Sequence, residues 1–127
     1  MKAFVIREPG QSSIDQVGEV APGPGEVLLK TRMVGFCGTD LSTFRGKNPL
    51  VSYPRIPGHE IAATILEVGP DVPAYLRPGL NVTVSPYNPC GTCASCLRGR
   101  TNACMRNKTL GVQCDGAMKE MFTAQWQ

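Results

Sequence analysis

Charged residues are scarce in this 127-residue sequence, at 18% of the chain against about 25% in an average globular domain. The net charge is only +3, and histidine and tryptophan each occur once. A chain with so little charge cannot present the strongly basic surface by which proteins hold nucleic acid. We therefore expect no nucleic-acid partner.

Long apolar runs are missing as well. Only four apolar residues, 3–6, precede Arg7 at the N-terminus, whereas an export signal needs roughly 7–15 and a membrane-spanning helix about 20. We expect no membrane partner and a cytoplasmic location. In that reducing compartment the six cysteines are better explained as metal ligands than as disulfides.

A nucleotide-binding Gly-x-Gly-x-x-Gly loop after a predicted strand is also absent. The nearest match, Gly23-Pro24-Gly25, contains a proline that makes a rigid turn instead of opening a helix. We therefore predict no cofactor-binding residue within this chain.

The composition favours a β fold. The hydrophobic share of 42% is enough for a packed core, and 14 glycines and 11 prolines favour short strands joined by turns over long helices. We predict one mainly β domain over residues 1–127. The predicted strands cover residues 2–7, 14–20, 26–36, 61–68, 80–87 and 119–125.

The clearest of these strands is 26–36. Its alternation predicts four residues on one face, namely Val27, Leu29, Thr31 and Met33. After the strand, Thr39 or Asp40 is predicted to cap a short helix that ends near Phe44.

Four closely spaced cysteines are the strongest motif in the sequence: Cys90, Cys93, Cys96 and Cys104. Four thiolates can enclose one Zn²⁺ as a tetrahedral structural site with no position left for a substrate. The alternatives are four unrelated free cysteines or an iron–sulfur cluster, although the ferredoxin pattern has a last gap of three and a following proline. Nearby cations would offset the negative charge of a zinc–thiolate group: Arg98, Arg100, Arg106 and Lys108.

Cys37 and the single histidine, His59, form a second candidate metal site. Thiolate and imidazole are the usual ligands of a catalytic zinc, which keeps one position open. Glu60 is a candidate third ligand, Asp40 a candidate acceptor for the other ring nitrogen of His59, and Thr39 a hydroxyl suited to passing a proton. Taken alone, Cys37 also fits a small buried apolar residue and His59 an ordinary turn residue.

These motifs together resemble the zinc-dependent medium-chain dehydrogenase family, which includes alcohol, sorbitol and sugar-acid dehydrogenases. Cys37-Gly38-Thr39-Asp40 is similar to the first zinc-ligand motif of that family, and Gly58-His59-Glu60 to its Gly-His-Glu signature. The four cysteines match its structural-zinc lobe, here 89–105. The likeness extends over nearly the whole chain.

The resemblance implies a GroES-like, partly open β-barrel with short helices, which is the N-terminal part of the catalytic domain. It implies a catalytic zinc on Cys37, His59 and Glu60, and a structural zinc on the four cysteines. Ser42 stands where many relatives carry a histidine of the proton relay, which leaves Thr39 as the relay candidate.

Family members are longer and carry a Rossmann domain that holds NAD or NADP. We therefore expect this chain to be an N-terminal fragment, inactive alone, of a dehydrogenase that oxidises an alcohol, with a polyol or sugar acid favoured as substrate. Such relatives form homodimers or homotetramers. A different hypothesis is a non-enzymatic zinc-binding module that contacts protein or nucleic acid through the cations around its cysteines.

Overall fold

The computed structural model describes residues 1–126. Strands dominate this part of the chain, and its longest helix has seven residues, so no helix in it is long and apolar enough to cross a membrane. In chain order the elements are β1 (Lys2–Glu8), β2 (Gln11–Gln16), β3 (Glu26–Gly35), α1 (Gly38–Phe44), β4 (Glu60–Val68), β5 (Asn81–Thr83), β6 (Tyr87–Asn88), α2 (Ala94–Leu97), a 3₁₀ turn (Thr101–Ala103), β7 (Lys108–Thr109) and β8 (Met121–Gln125).

The strands form one four-stranded antiparallel sheet, in the order β5-β4-β3-β8, and two smaller antiparallel pairs, the hairpin β1-β2 and the pair β6-β7. The segment 118–120 connects the first hairpin to the main sheet. The Phe4 N–H donates to the Met118 carbonyl at 2.8 Å, and the Thr31 N–H donates to the Glu120 carbonyl at 3.1 Å. The hairpin thus adjoins the main sheet, while its buried residues Ala3 and Val5 pack with Ile56 in a second, smaller cluster. The mainly β fold is confirmed.

The core lies on one face of the main sheet. Apolar side chains of β3, β4 and β8 supply most of it, because alternate residues of a strand point to the same face. The segment 110–117 closes the core from the other side. Its buried members are Val27, Leu29, Ile61, Ala63, Ile65, Leu110, Ala117 and Phe122.

A change of register in β3 corrects the predicted face of that strand. Alternation places Val27, Leu29 and Met33 on one face, but Val27 and Leu29 are buried whereas Met33 is 71% exposed. The pairing with β4 shifts between Thr31 and Met33, so that the next side chain, Val34, packs against the core. A bulge of this kind turns the following residues to the opposite face, and alternation alone does not reveal it.

Two predicted strands are also corrected. The second strand begins earlier, at Gln11, and ends at Gln16, because the turn after Glu8 pairs β2 at once with β1. The predicted strand 80–87 is divided into β5 and β6. Pro86 lies between them, and proline has no N–H to continue a ladder.

Candidate metal centres

The pairing of β3 with β4 brings Cys37 and His59 together. The paired residues end with Gly35 opposite Glu60. Cys37 lies two positions after Gly35, and His59 directly precedes Glu60. In an antiparallel pair the end of one strand adjoins the start of the next. The Cys37 Sγ and His59 Nε2, although 22 positions apart in sequence, therefore lie 3.0 Å from each other.

The start of α1 holds Cys37 in place. Cys37 is the N-cap, and its Sγ accepts the Thr39 N–H at 3.3 Å. The Asp40 Oδ2 in turn accepts the Cys37 N–H at 3.0 Å. The prediction that Thr39 or Asp40 caps the helix was wrong, because Asp40 occupies the third helical position and completes a reciprocal capping box.

Asp40 also faces His59. Its side chain is 1% exposed, and its Oδ1 accepts the Gly58 N–H at 3.1 Å while lying 3.6 Å from the His59 Nδ1. That nitrogen is buried and has no hydrogen-bond partner in the described part of the chain. At this distance the carboxylate lies beside the ring without accepting a hydrogen bond from it. A carboxylate in this position is the kind of partner that orients a metal-binding histidine.

The donor set fits zinc. One ligand atom each of Cys37, Asp40 and His59 lies within 4.8 Å of the others. A thiolate and an imidazole suit a borderline-soft divalent ion, and the His59 Nε2 faces the sulfur while the Nδ1 faces the carboxylate. Cys37 and His59 are thus close enough to bind one ion, with the Asp40 carboxylate on the far side of the histidine ring.

Glu60 is outside this group of three ligand atoms. It is exposed at the first position of β4, and its side chain lies over Gly35. A Cβ at Gly35 would lie 3.0 Å from the Glu60 Cβ, so the glycine makes room for this side chain. The Glu60 carboxylate is therefore near the end of β3 that leads to Cys37. Thr39, by comparison, is half-buried in the first turn of α1.

Sequence reasoning gave no role to Arg55 and Asp115, which lie beside the loop that carries His59. The Arg55 guanidinium donates to the Asp115 Oδ1 at 2.9 Å, and the same oxygen accepts the Ile56 N–H at 3.3 Å. The Asp-Gly dipeptide at 115–116 is a typical turn signal. The dipeptide alone does not indicate which loop this turn contacts.

The four cysteines Cys90, Cys93, Cys96 and Cys104 converge on one point. Their sulfurs all lie within 4.8 Å of one another, and the Cys93 and Cys96 sulfurs are 3.5 Å apart. Sulfurs bound tetrahedrally to zinc at about 2.3 Å would lie roughly 3.8 Å apart. The sequence-predicted ligands are therefore spaced as a closed zinc site requires.

Backbone N–H groups point at these sulfurs. The Cys104 Sγ accepts the Cys90 N–H at 3.2 Å and the Arg106 N–H at 3.4 Å. The Thr92 N–H lowers the pKa of Cys90 to about 5. Exclusion of water raises the pKa of Cys96 to about 12, and the sulfurs of Cys93 and Cys104 contribute to that rise. Four such sulfurs cannot all ionise without a cation, which a divalent metal supplies.

The surroundings of the two groups differ. Within 89–105 only Cys93 is buried. Four cations near the cysteines are exposed: Arg98, Arg100, Arg106 and Lys108. Cys114 belongs to neither group; its Sγ faces the Thr109 carbonyl at 3.6 Å, and burial raises its pKa.

The chain matches a known protein family over most of its length. The family model of the alcohol dehydrogenase GroES-like domain matches residues 23–127. An uncharacterized zinc-type alcohol dehydrogenase-like protein of Haemophilus influenzae is 40% identical over 122 residues, which are 96% of this chain and 36% of that protein. L-galactonate-5-dehydrogenase of Escherichia coli is 38% identical over 123 residues, or 97% and 36% of the two chains.

A solved structure has the same fold. The alcohol dehydrogenase rspB of Escherichia coli, crystallised with the cofactor NADH, superimposes with a TM-score of 0.90 at 38% identity. The match covers 99% of this chain and 36% of that one. The chain thus spans little more than a third of the length of the relatives it matches.

Proposed function

From the premise that this chain belongs to the alcohol dehydrogenase GroES-like domain family, we propose that it supplies the zinc-binding part of the active site of an alcohol dehydrogenase. The reaction is oxidation of an alcohol by hydride transfer to NAD or NADP. The observation that carries the proposal is the meeting of Cys37 and His59, 3.0 Å apart, with a buried carboxylate behind the histidine.

Each residue has a defined part in this proposal. Cys37 and His59 are ligands of a zinc ion, and Glu60 is the third ligand, supported by its position across from Gly35. A bound zinc ion lowers the pKa of an alcohol that contacts it. Asp40 holds the His59 ring through the Nδ1, and the Thr39 Oγ1 accepts the hydroxyl proton and passes it toward solvent. Cys90, Cys93, Cys96 and Cys104 hold a second, structural zinc.

NAD or NADP serves as hydride acceptor, and no residue of this chain is assigned to hold it. A polyol or sugar acid is the favoured substrate, which the likeness to L-galactonate-5-dehydrogenase supports. The protein acts as a homodimer or homotetramer in the cytoplasm, where its thiols stay reduced. Turnover of a panel of polyols and sugar acids with each nucleotide tests substrate and acceptor, and light scattering tests the assembly.

The variant Cys37→Ser tests the metal assignment. Serine is a good N-cap, so α1 should keep its start while the zinc-binding thiolate is lost. The assay uses the longer dehydrogenase of which this chain is expected to be the N-terminal fragment. We expect metal analysis to find two zinc ions in the unaltered protein and one in the variant, with dehydrogenase activity reduced to background. Cys114→Ser is the matched control, because this thiol lies outside both groups, and it should keep two zinc ions and full activity. Full turnover by Cys37→Ser would contradict the proposal.

Glu60→Gln tests the third ligand in the same assays. An amide oxygen remains in place but carries no charge, so zinc binding should weaken less than in Cys37→Ser. Unchanged zinc affinity would remove Glu60 from the ligand set and leave the rest of the proposal standing.

A further inference from the structure

The loop that ends at His59 is bonded along its backbone to the segment 116–118. The Gly116 N–H donates to the Ile56 carbonyl at 2.7 Å, the Met118 N–H to the Pro57 carbonyl at 3.0 Å, and the Ala117 N–H to the Gly58 carbonyl at 3.0 Å. These acceptors are the last carbonyls before His59. The segment 116–118 therefore sets the path by which the chain reaches the histidine.

This contact depends on the absence of side chains. A Cβ at Gly116 would lie 2.5 Å from the Pro57 oxygen and 2.7 Å from the Pro57 carbonyl carbon. A Cβ at Gly111 would lie 2.8 Å from the Gly58 nitrogen. All of these are backbone atoms, which cannot rotate away as the end of a flexible side chain can. A side chain at position 116 must therefore move the Pro57–Gly58 backbone.

The loop is also held at both of its ends. Asp115 accepts from the Arg55 guanidinium and the Ile56 N–H, as described above. At the other end, the Gly58 N–H donates to Asp40, and the Gly58 carbonyl accepts from Ala117. Both backbone polar groups of Gly58 are therefore hydrogen-bonded, and Gly58 directly precedes His59. A displacement of Gly58 would move His59 with it.

We propose that Gly116 is a positioning residue for the metal site: its missing side chain allows the close backbone contact that places the His59 Nε2 toward Cys37. The inference rests on the proposed function, since it assumes that His59 and Cys37 bind zinc. Gly116 is far along the chain from both Cys37 and His59, and its proposed role involves no contact with metal or substrate. Loss of this contact should weaken zinc binding at that site alone.

The test compares Gly116→Ala with Gly18→Ala. Neither glycine has a left-handed backbone, and a Cβ at Gly18 meets nothing within 4 Å, so the pair contrasts a crowded position with an open one without left-handed strain at either. Chelator competition measures the zinc affinity of both sites, and Cys37→Ser identifies which phase belongs to the Cys37–His59 site. We expect Gly116→Ala to weaken that site by about tenfold or more, as changes around metal ligands commonly do.

The four-cysteine site serves as an internal reference and should change by less than about twofold in both variants. Equal affinity of the Cys37–His59 site in Gly116→Ala and the unaltered protein would overturn the inference while the proposed function stood. An unaltered protein that binds zinc only at the four cysteines would overturn the proposed function, and the inference with it.

Asp115→Ala decides the question if Gly116→Ala folds poorly. It adds no side chain at position 116 but removes the acceptor for Arg55 and the Ile56 N–H. The carbonyl of Ile56 accepts the Gly116 N–H, so this variant loosens the same backbone contact from its other side. We expect zinc affinity at the Cys37–His59 site to fall about threefold or more. Asp15→Ala is its control, because it removes an ion pair with Arg7 and a hydrogen bond from the Ser13 hydroxyl, neither of which involves the loop that ends at His59. Equal affinity in the two aspartate variants would then overturn the inference.

Discussion

The four-cysteine group and the Cys37–His59 group are built in opposite ways. The four cysteines lie within residues 90–104, on α2, a 3₁₀ turn and the connecting loops, and only Cys93 among them is buried. Cys37 and His59 are separated by 22 positions and are joined by two long paired strands and a buried carboxylate. The first group brings its ligands together through sequence spacing, and the second through the sheet.

This difference indicates whether metal binding or protein packing stabilises each group. The lobe at 89–105 contributes almost no apolar side chains to a core, so the free energy of metal binding is largely the free energy of folding it. The Cys37–His59 group adjoins strands that bury Val27, Leu29 and Ile65. We therefore expect the metal to hold the lobe together and the protein to hold the other site together.

Metal removal should produce the largest effect and would break this comparison if it failed. After treatment with a strong chelator, amide hydrogen exchange in residues 90–104 should become about a hundredfold faster or more, because short elements without a core unfold locally. Exchange in β3 and β4 should change less than about twofold. Equal acceleration in both regions would show that the lobe is not an independent unit.

Asp40→Asn should have the next largest effect, and it acts at the Cys37–His59 group. Asparagine has only one accepting oxygen, so it cannot accept from the Cys37 N–H and the Gly58 N–H through two separate oxygens as the carboxylate does. We expect a loss of about 1–3 kcal/mol in the free energy of unfolding, as for other buried donors left without an acceptor. Denaturant titration measures it.

Asp15→Asn is the control for that variant, because it neutralises a surface ion pair worth about 0–1 kcal/mol. Zinc affinity at the four cysteines should be the same in both variants. An Asp40→Asn protein as stable as the Asp15→Asn protein would contradict the double role of Asp40.

The smallest predicted effect concerns pH and sharpens the comparison within the lobe. The pKa of Cys96 is raised to about 12, so this thiol is protonated at pH 7 and must release its proton when zinc binds. Zinc affinity should therefore fall as pH falls, by about tenfold per pH unit for each proton taken up. Chelator competition on Cys37→Ser, which isolates the lobe, measures the slope.

The pKa of Cys90 sets a second pH range in which zinc affinity changes. Its pKa is lowered from 9.0 to about 5, so the folded lobe favours the thiolate. The stabilisation from this shift is fully present above pH 9.0 and is lost as pH falls through about 5. The slope of zinc affinity should accordingly steepen below pH 5. A constant affinity from pH 7 to pH 5 would contradict the assignment of Cys96, and an unchanged slope below pH 5 would contradict that of Cys90.

Much of the fold was predictable because neighbouring residues decide it. Alternation located β3 and placed Val27 and Leu29 on one face, and β-branched residues located β4. It failed at Met33, where an extra residue in the pairing reverses the faces. The cap of α1 was assigned to the wrong residue because cysteine is not among the usual capping residues, and only the reciprocal contact with Asp40 reveals it.

The spacing of the four cysteines determined by itself which residues would meet, since a loop of a few residues leaves little choice of partners. Long-range contacts are of another kind. The approach of Cys37 to His59, the placement of Asp40 between two backbone N–H groups, and the close contact of Gly116 with Pro57 depend on strand register and on the path of a loop. Only the tertiary structure decided these, because a shift of one residue in the pairing would have turned the side chains to the opposite face.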